Sequence, residues 1–349
     1  MGAVSSLSPL QARPDAPDDL ARIESALAAA TVADDAFLTE MASHLIPAGG
    51  KRLRPAFVVA AALCERADGD ASGVVSDEMI RGGVAVELVH LGSLYHDDVM
   101  DDAETRRGIE AVNHRWGNLK AILAGDFLLA KASELAASLG TEVAELLAAT
   151  IGRLCEGQVR ELQLIYDVDR TEAQYLDAIR GKTAELYATA CRIGALVAGA
   201  GDDCLARLRE FGLGFGMAFQ IVDDVLDLVS TSERLGKPVG NDLREGVYTL
   251  PVLRTLASAD GAGDELRRVL ADGRPECVGP LEDARRAQAH EIVLAGGEVE
   301  SSVRTAETYV RRAVDALDGL APTPTCDGMR LAAQNLLTTL PASLSASVV

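Results

Sequence analysis

The feature that most constrains the fold is a helical repeat of apolar residues along most of the chain. Between residues 20 and 339 apolar side chains recur every three or four positions, and no stretch shows sustained strand-like alternation. Hydrophobic residues make up 48% of the chain and aromatic residues only 4%. We therefore expect an all-α protein. The predicted helices are 20–30, 37–46, 53–66, 77–101, 118–138, 141–163, 171–200, 203–229, 248–257, 263–271, 281–295, 298–319 and 327–339.

The breaks between these helices are short and rich in Gly, Pro and Asp, as helix ends usually are. None is long enough to require a domain boundary. The sequence therefore predicts one helical domain over residues 19–340, preceded by a disordered leader over 1–18 and followed by a frayed tail over 341–349.

The net charge of −20 over 349 residues limits the classes of partner. Nucleic acid and anionic membranes would be repelled, so an anionic substrate has to be captured locally by metal and by a few cations. The six cysteines show no CxxC spacing, and neither a transmembrane segment nor a signal peptide is recognisable. We expect a reducing, cytoplasmic location.

A five-residue acidic pattern occurs twice, at residues 97–101 and 223–227. The first and last Asp of each copy are four residues apart, so they share one helical face and repel each other. Hard carboxylate oxygens in such a cluster suit Mg²⁺, which commonly bridges carboxylates to substrate phosphates. One copy alone is equally compatible with a solvated helix end, but two opposed copies would hold a diphosphate. The candidate ligands are Asp97, Asp98, Asp101, Asp223, Asp224 and Asp227.

Basic residues flank these patterns. The stretch 49–55 reads GGKRLRP and places Lys51, Arg52 and Arg54 where a loop becomes a helix. Backbone donors at a helix N-terminus add to such cations, which predicts an anion site that needs no metal. The alternative is an ordinary basic surface loop. Arg106 and Arg107 follow the first acidic pattern and could hold a metal-bound diphosphate from the opposite side.

In combination these motifs resemble the trans-isoprenyl diphosphate synthases of the polyprenyl synthetase family. The resemblance extends from about Pro47 to Leu340 and implies a helical bundle of the isoprenoid synthase type, with a central apolar cavity and a homodimeric assembly. The matching segments are GGKRLRP at 49–55, HLGSLYHDDVMD at 90–101, ETRRG at 104–108, AGDFLLAKA at 124–132, KTAELYATA at 182–190, FQIVDDVLD at 219–227 and GKPVGNDL at 236–243.

The resemblance also implies roles for individual residues. The six aspartates of the two patterns would bind Mg²⁺. Isopentenyl diphosphate would contact Lys51, Arg54, His90 and Arg107, and the allylic diphosphate would contact Arg106, Lys182, Thr183, Gln220 and Lys237. The residues assigned to catalysis are Asp97, Asp98, Asp101, Lys182, Asp223 and Lys237. One position departs from the family, because Val247 stands where a lysine is usual shortly before Thr249-Leu250-Pro251.

The implied reaction is the loss of diphosphate from the allylic substrate and attack on the resulting carbocation by isopentenyl diphosphate. The helix turn before Asp97 bears on product length. Gly92 and Ser93 lie there and lack the bulk to stop a growing chain, so a tunnel would continue toward Val89 and Val86. We therefore expect geranylgeranyl diphosphate or a longer product.

Three other functions fit part of the pattern. A terpene cyclase shares the first acidic motif but usually has a different second metal motif and needs no second diphosphate site. A non-catalytic partner subunit tends to lose motif residues, and this chain keeps nearly all of them. An acidic helical metal buffer leaves the basic motifs unexplained.

Overall fold

The computed structural model describes residues 5–11, 13–65, 73–230, 239–271 and 280–345. The prediction of an all-α fold is confirmed. The elements are α1 (Ala16–Ala30), α2 (Ala36–Ser43), α3 (Leu53–Glu65), α4 (Asp77–Met100), β1 (Thr105–Arg106), β2 (Ile109–Glu110), α5 (Val112–Trp116), α6 (Asn118–Ser138), α7 (Thr141–Gln163), α8 (Glu172–Ile179), a π-helical segment (Arg180–Ala184), α9 (Glu185–Ala198), α10 (Asp202–Val229), α11 (Asn241–Arg244), α12 (Leu250–Leu256), α13 (Ala262–Ala271), α14 (Asp283–Ala295), α15 (Glu298–Ala316), α16 (Pro324–Leu337) and α17 (Ala342–Ser345).

Residue contacts divide the chain into two compact units. The first contains residues 1–151, 186–212 and 315–332, and the second contains 152–185, 213–314 and 333–349. Each unit has its own apolar core, and each contains one of the two acidic patterns. The sequence did not predict this division.

The core of the first unit is built around α4, which packs against α1, α3 and α6. Its apolar residues are buried on every side rather than along one stripe, as expected of a central helix. A Cβ atom at Gly92 would lie 3.1 Å from the carbonyl oxygen of Gly125 on α6. The two helices therefore approach closely at these glycines, which places the C-terminal end of α4 firmly against α6.

The N-terminal residues differ from the predicted disordered leader. Within the described part of residues 1–18, Leu7 and Leu10 are buried and α1 already begins at Ala16. Pro17 lies in the first turn of α1, where a missing backbone N–H costs little. The apolar side chains of this segment are too few to show helical periodicity, so their burial could not be predicted from the pattern.

The second unit packs the C-terminal part of α10 with the helices that follow it. Arg254 on α12 is an example of its internal bonding, because its guanidinium donates two hydrogen bonds to Glu172 at 2.7 and 3.1 Å. It donates further bonds to the hydroxyls of Ser301 and Thr305 at 3.1 and 2.9 Å. These contacts join α12 to α8 and α15.

The predicted helix over 171–200 is interrupted by the π-helical segment Arg180–Ala184. Here α7 passes unusually close, since a Cβ atom at Gly157 would lie 2.5 Å from the backbone nitrogen of Lys182. Gly181 faces Gly157 across this contact, and its own Cβ would lie 3.0 Å from the Gly157 Cα atom. The bulge is therefore accommodated by a glycine pair that is distant in sequence. π-Bulges of this kind are frequent at functional sites.

Two further findings bear on the predictions. A short β-hairpin follows α4, although the sequence showed no strand pattern. Among the helices of the described residues, none combines the length and apolar character needed to cross a bilayer.

Candidate active site

The first acidic pattern ends α4. Its middle carboxylate, on Asp98, is fully buried, while Asp97 is half-buried and Asp101 is exposed at the helix C-cap. One Asp98 oxygen, Oδ1, accepts hydrogen bonds from Nε of Arg106 at 2.7 Å and from Nη2 of the same guanidinium. This ion pair anchors the helix end to the hairpin.

The two strands of the hairpin are joined by a two-residue turn, Arg107 and Gly108. Both residues have positive φ angles, 53° and 77°, as in the two-residue turns that match strand twist. The turn brings Arg106 back to Asp98, only eight residues earlier. Asn113 secures the same region by donating to the backbone oxygens of Asp98 and Ala103, both at 3.0 Å.

The electrostatics of Asp98 favour a bound cation. Burial raises the pKa of this carboxyl, and Arg106 opposes the increase only in part. The second oxygen, Oδ2, is buried and has no hydrogen-bond partner within the described residues. A buried acceptor without a partner is costly, and a cation would remove that cost.

The basic motif at 49–55 forms a cluster with the hairpin. A Cβ atom at Gly50 would lie 2.9 Å from Nη1 of Arg107 and 3.1 Å from Nη1 of Arg52, so both guanidinium groups lie close to this glycine. The three predicted cations differ in their environment. Lys51 is exposed, whereas the guanidinium carbon of Arg54 lies 4.6 Å from the centroid of the Tyr187 ring.

Arg52 is held by ion pairs. Its guanidinium donates to Glu24 at 2.6 Å and to the buried Glu87 at 3.0 Å, and its own exposed fraction is 4%. The interpretation of this residue as an anion-binding cation is therefore corrected to a structural one.

His90 is the neutral member of this cluster. Burial and the nearby charges of four arginines hold the pKa of its imidazole well below the usual range. These arginines are Arg54, Arg107, Arg106 and Arg52. A neutral imidazole can still donate one hydrogen bond to an anion, and an anion bound here would raise its pKa.

The second acidic pattern lies near the end of α10, and its buried carboxylates have a different set of hydrogen-bond partners. Asp223 is exposed, whereas Asp224 and Asp227 are buried. The carboxylate of Asp224 accepts a hydrogen bond from the Tyr175 hydroxyl at 2.5 Å and another from Nε2 of Gln220 at 2.8 Å. Burial, and then the charge of Asp242, raise the pKa of Asp224 well above its usual value.

Two of the predicted substrate contacts belong to this network. The Thr183 hydroxyl donates to Oε1 of Gln220 at 2.8 Å, so a chain of hydrogen bonds runs from the π-helical segment through Gln220 to Asp224. Lys182, the neighbouring residue in that segment, is paired with Glu161 of α7 at 2.5 Å. Asp227 accepts a backbone hydrogen bond from Asp242 at 3.1 Å.

Sequence reasoning missed Tyr175, Glu161 and Asn113. Each makes its contact with a residue that is 15 to 49 positions away in the chain. A polar residue within an otherwise apolar helix face was the only available signal, and it does not specify a partner. Lys237, which was predicted as an allylic diphosphate contact, lies outside the described residues.

The residues predicted to set product length lie on α4 one and two turns before Asp97. Gly92 is buried against Gly125 and Leu129 of α6, so this position also has a packing role. Ser93 is half-buried, and its hydroxyl donates to the backbone oxygen of His90 at 2.8 Å. Val89 is 1% exposed. Their effect on product length stays a prediction.

The acidic residues fit a divalent cation. Their donors are hard carboxylate oxygens, and the buried Oδ2 of Asp98 is available. In the part of the chain that the structure describes, no three His, Cys, Asp or Glu side chains are gathered closely enough to hold an ion alone. An ion at either motif would therefore complete its coordination shell with water or ligand oxygens, as Mg²⁺ does when it binds with a diphosphate.

Comparison with known proteins identifies the family. The profile of the polyprenyl synthetase family matches residues 35–287, which include both acidic motifs and the basic motif. The chain belongs to the polyprenyl synthetase family. It is a trans-prenyltransferase.

Individual members of the family match over most of their length. The chain is 40% identical over 305 residues to heptaprenyl diphosphate synthase component 2 from Geobacillus stearothermophilus, covering 87% of this chain and 90% of that protein. It is 38% identical over 312 residues to nonaprenyl diphosphate synthase from Mycobacterium tuberculosis, covering 89% and 88%.

A solved structure agrees with this assignment. Polyprenyl synthase from Caulobacter crescentus, crystallised with calcium and isoprenyl diphosphate, is 34% identical with a TM-score of 0.84. The match covers 96% of this chain and 98% of that protein. These similarities favour the synthase over the cyclase and the metal buffer that the motifs alone left open.

Proposed function

We propose that this protein condenses isopentenyl diphosphate with an allylic diphosphate and releases an all-trans product of geranylgeranyl length or longer. The observation that carries this proposal is the match of the family profile to a chain that retains both acidic motifs and the basic motif. The two relatives described above are named for heptaprenyl and nonaprenyl products, which supports a long product.

Mg²⁺ is the proposed metal, and the six aspartates of the two motifs are its proposed ligands. The calcium in the Caulobacter crescentus complex supports a divalent ion of the same hard class. Bound Mg²⁺ would neutralise the charge that develops on the departing diphosphate. Asp98 and Asp224 contribute from buried positions, where their hydrogen-bond partners fix the direction of each carboxylate.

The basic residues are proposed to position the two substrates. Lys51, Arg54, His90 and Arg107 bind isopentenyl diphosphate, and the arginine charges that surround the His90 imidazole support this assignment. Arg106, Lys182, Thr183, Gln220 and Lys237 bind the allylic diphosphate. Lys182 is paired with Glu161 in this structure, so substrate binding would exchange one carboxylate partner for phosphate oxygens.

A direct assay tests this function. The purified protein is incubated with labelled isopentenyl diphosphate and allylic primers of increasing length, with Mg²⁺ or with a chelator, and the products are separated by chromatography. We expect Mg²⁺-dependent elongation to twenty carbons or more. Hydrolysed or cyclised products, or no consumption of isopentenyl diphosphate, would contradict the proposal.

Product length is proposed to depend on the α4 residues before Asp97. Ser93 is the better test position, because Gly92 is packed against α6 and a larger side chain there would disturb that contact. We expect Ser93→Phe to shorten the product without loss of turnover. An unchanged product distribution would remove Ser93 from the chain-length determinants.

A homodimer is proposed as the assembly, and α6 supports it. Leu119 and Leu123 on this helix are 81% and 62% exposed, and Ile122 adds to the same apolar face. Large exposed apolar patches usually mark interaction surfaces. Sedimentation of the pure protein should show a dimer. Since one relative is named as component 2 of a synthase, a monomer that becomes active only with a second protein would contradict homodimerisation.

A cytoplasmic location is proposed with these activities, together with the absence of a nucleic-acid partner expected from the acidic net charge. Cell fractionation tests the location directly.

A further inference from the structure

The second unit contains a buried arginine that the reaction scheme above does not use. Arg170 lies between α7 and α8 and is 5% exposed. Its Nη1 atom donates to the backbone oxygen of Tyr248 at 3.2 Å. Within the described residues, its Nε and Nη2 atoms are buried and have no hydrogen-bond partner. Buried guanidinium N–H groups rarely lack hydrogen-bond partners, so the positions of these two atoms need an explanation.

The guanidinium lies over the ring of Tyr175. The distance from the guanidinium carbon to the ring centroid is 5.6 Å, within the range of a cation–π interaction. The same tyrosine donates its hydroxyl hydrogen to Asp224 of the second acidic motif at 2.5 Å. Arg170 is therefore connected to Asp224 through a single aromatic side chain.

The charges around Arg170 are mainly negative. Its guanidinium interacts electrostatically with Glu161, Asp224 and Asp167, while Asp224 also interacts with Asp223 and Asp242. Lys182 is the nearby cation in the described network, and it is engaged by Glu161. Among these carboxylates Asp224 is the buried one, and the Arg170 guanidinium places a positive charge over the ring of the tyrosine that binds it.

Tyr175 connects Arg170 to the motif through its position. The guanidinium lies over its ring at 5.6 Å and its hydroxyl is hydrogen-bonded to Asp224, so contacts on the ring and at the hydroxyl both hold this side chain in place. Loss of Arg170 would leave the ring less firmly placed and would therefore weaken the hydrogen bond that holds the buried carboxylate.

We propose that Arg170, in the loop before α8, is a positioning residue for the second acidic motif. It acts through Tyr175 on Asp224 and so keeps the motif ordered for a metal-bound diphosphate. This inference depends on the proposed role of residues 223–227 in metal and allylic diphosphate binding.

Arg170→Met tests the proposal by removing the charge while keeping an extended side chain. Loss of residues that orient metal ligands typically weakens metal affinity by about 10- to 100-fold. We expect the Mg²⁺ concentration for half-maximal rate and the KM for the allylic diphosphate to rise by at least about tenfold. The KM for isopentenyl diphosphate should stay within about twofold of its original value.

A structural control uses Arg254, whose guanidinium bonds are all made within the second unit to Glu172, Ser301 and Thr305. Arg254→Met should lower Tm without changing the Mg²⁺ requirement. If Arg170→Met lowers Tm and leaves the Mg²⁺ requirement unchanged, Arg170 is a structural residue and the proposal is wrong.

Arg170→Lys is the variant to use if Arg170→Met does not fold, because it keeps the positive charge. We expect its Mg²⁺ requirement to stay close to that of the original protein. A requirement raised by about tenfold would contradict the proposal. Asp223→Asn separates this inference from the proposed function. If Asp223→Asn has no effect on the Mg²⁺ requirement, the metal assignment fails, whatever Arg170 does.

Discussion

The two acidic motifs have similar sequences but hold their middle carboxylates in different ways. At the end of α4, Asp98 is paired with Arg106, a charged partner eight residues away on the adjoining hairpin. On α10, Asp224 receives hydrogen bonds from two neutral groups, on Tyr175 and Gln220. One carboxylate is thus compensated locally by an ion pair, and the other by a network that joins distant parts of the chain.

The same acidic pattern can therefore be stabilised in two environments that are sensitive to different substitutions. The first motif depends on a charge and a hairpin turn. The second depends on the exact placement of α7, α8 and the π-helical segment around α10. Substitutions should therefore damage the first motif chiefly through charge, and the second chiefly through geometry.

The largest expected effect is that of Asp98→Asn. This change keeps the shape of the side chain but removes the charge that pairs with Arg106 and attracts a cation. We expect kcat/KM to fall by about 10²- to 10³-fold, as when a preorganised electrostatic contact is lost. Asp102→Asn is the matched control because Asp102 is exposed and asparagine tolerates its φ of 48°. Steady-state kinetics should show no more than about a twofold change for this control.

Gly157→Ala tests the geometric dependence of the second motif. The added methyl group would lie 2.5 Å from the backbone nitrogen of Lys182, so α7 or the π-helical segment has to move. We expect unfolding to become easier by about 1–3 kcal/mol, with a weaker affinity for the allylic diphosphate.

The control for Gly157 lies on the same helix. A Cβ atom at Gly152 would meet nothing within 4 Å, so Gly152→Ala should be neutral or stabilise the protein by about 0.5–1 kcal/mol. Thermal denaturation and substrate titration of both variants measure the contrast. Similar behaviour of the two variants would show that the close contact at Gly157 is unimportant.

Tyr175→Phe removes one of the two hydrogen bonds to Asp224. We expect the free energy of unfolding to fall by about 1–3 kcal/mol, together with a higher Mg²⁺ requirement. Tyr95→Phe is the control in the first unit, since the Tyr95 hydroxyl is also buried and donates to the backbone oxygen of Met41 at 2.8 Å. It should lower stability and leave the Mg²⁺ requirement unchanged. A Mg²⁺ requirement that rises equally in both variants would remove the distinction between the motifs.

The smallest expected effect is in proton uptake at His90. The imidazole pKa is held well below its usual range by burial and by the surrounding arginines, so the free protein carries it neutral. A diphosphate bound among these arginines brings negative charge and raises the pKa toward the ordinary value of about 6.5. Binding below that pH should therefore take up protons.

Calorimetry in buffers of different ionisation enthalpy measures this uptake. It should be absent from His90→Gln and small near pH 8, where the imidazole is neutral in both states. Proton release instead of uptake would mean that the anion does not bind beside His90.

Much of the fold was predictable from the sequence, and the reasons are local. The bounds of α6 and α7 agree with the prediction because Gly117 and Gly140 interrupt two strongly periodic segments. The first acidic motif and the two arginines that follow it were also recognisable, since they lie within ten residues of each other. The profile match confirmed the family that these motifs indicated.

The remainder depends on contacts between distant residues. The π-helical segment requires Gly157 to approach Gly181, and helical periodicity carries no information about such a pair. The burial of Asp224 beneath Tyr175, with Arg170 over the ring, is equally invisible in the order of residues. The burial of Leu7 and Leu10 is likewise a property of the folded unit and not of the local sequence.

Anomalous diffraction from crystals grown with Mn²⁺ and inorganic pyrophosphate shows whether both acidic motifs bind divalent ions together with diphosphate. We expect Mn²⁺ peaks within about 2.2 Å of carboxylate oxygens at both motifs, with pyrophosphate oxygens completing the coordination. Mn²⁺ bound at one motif only, or pyrophosphate bound without metal, would contradict this expectation.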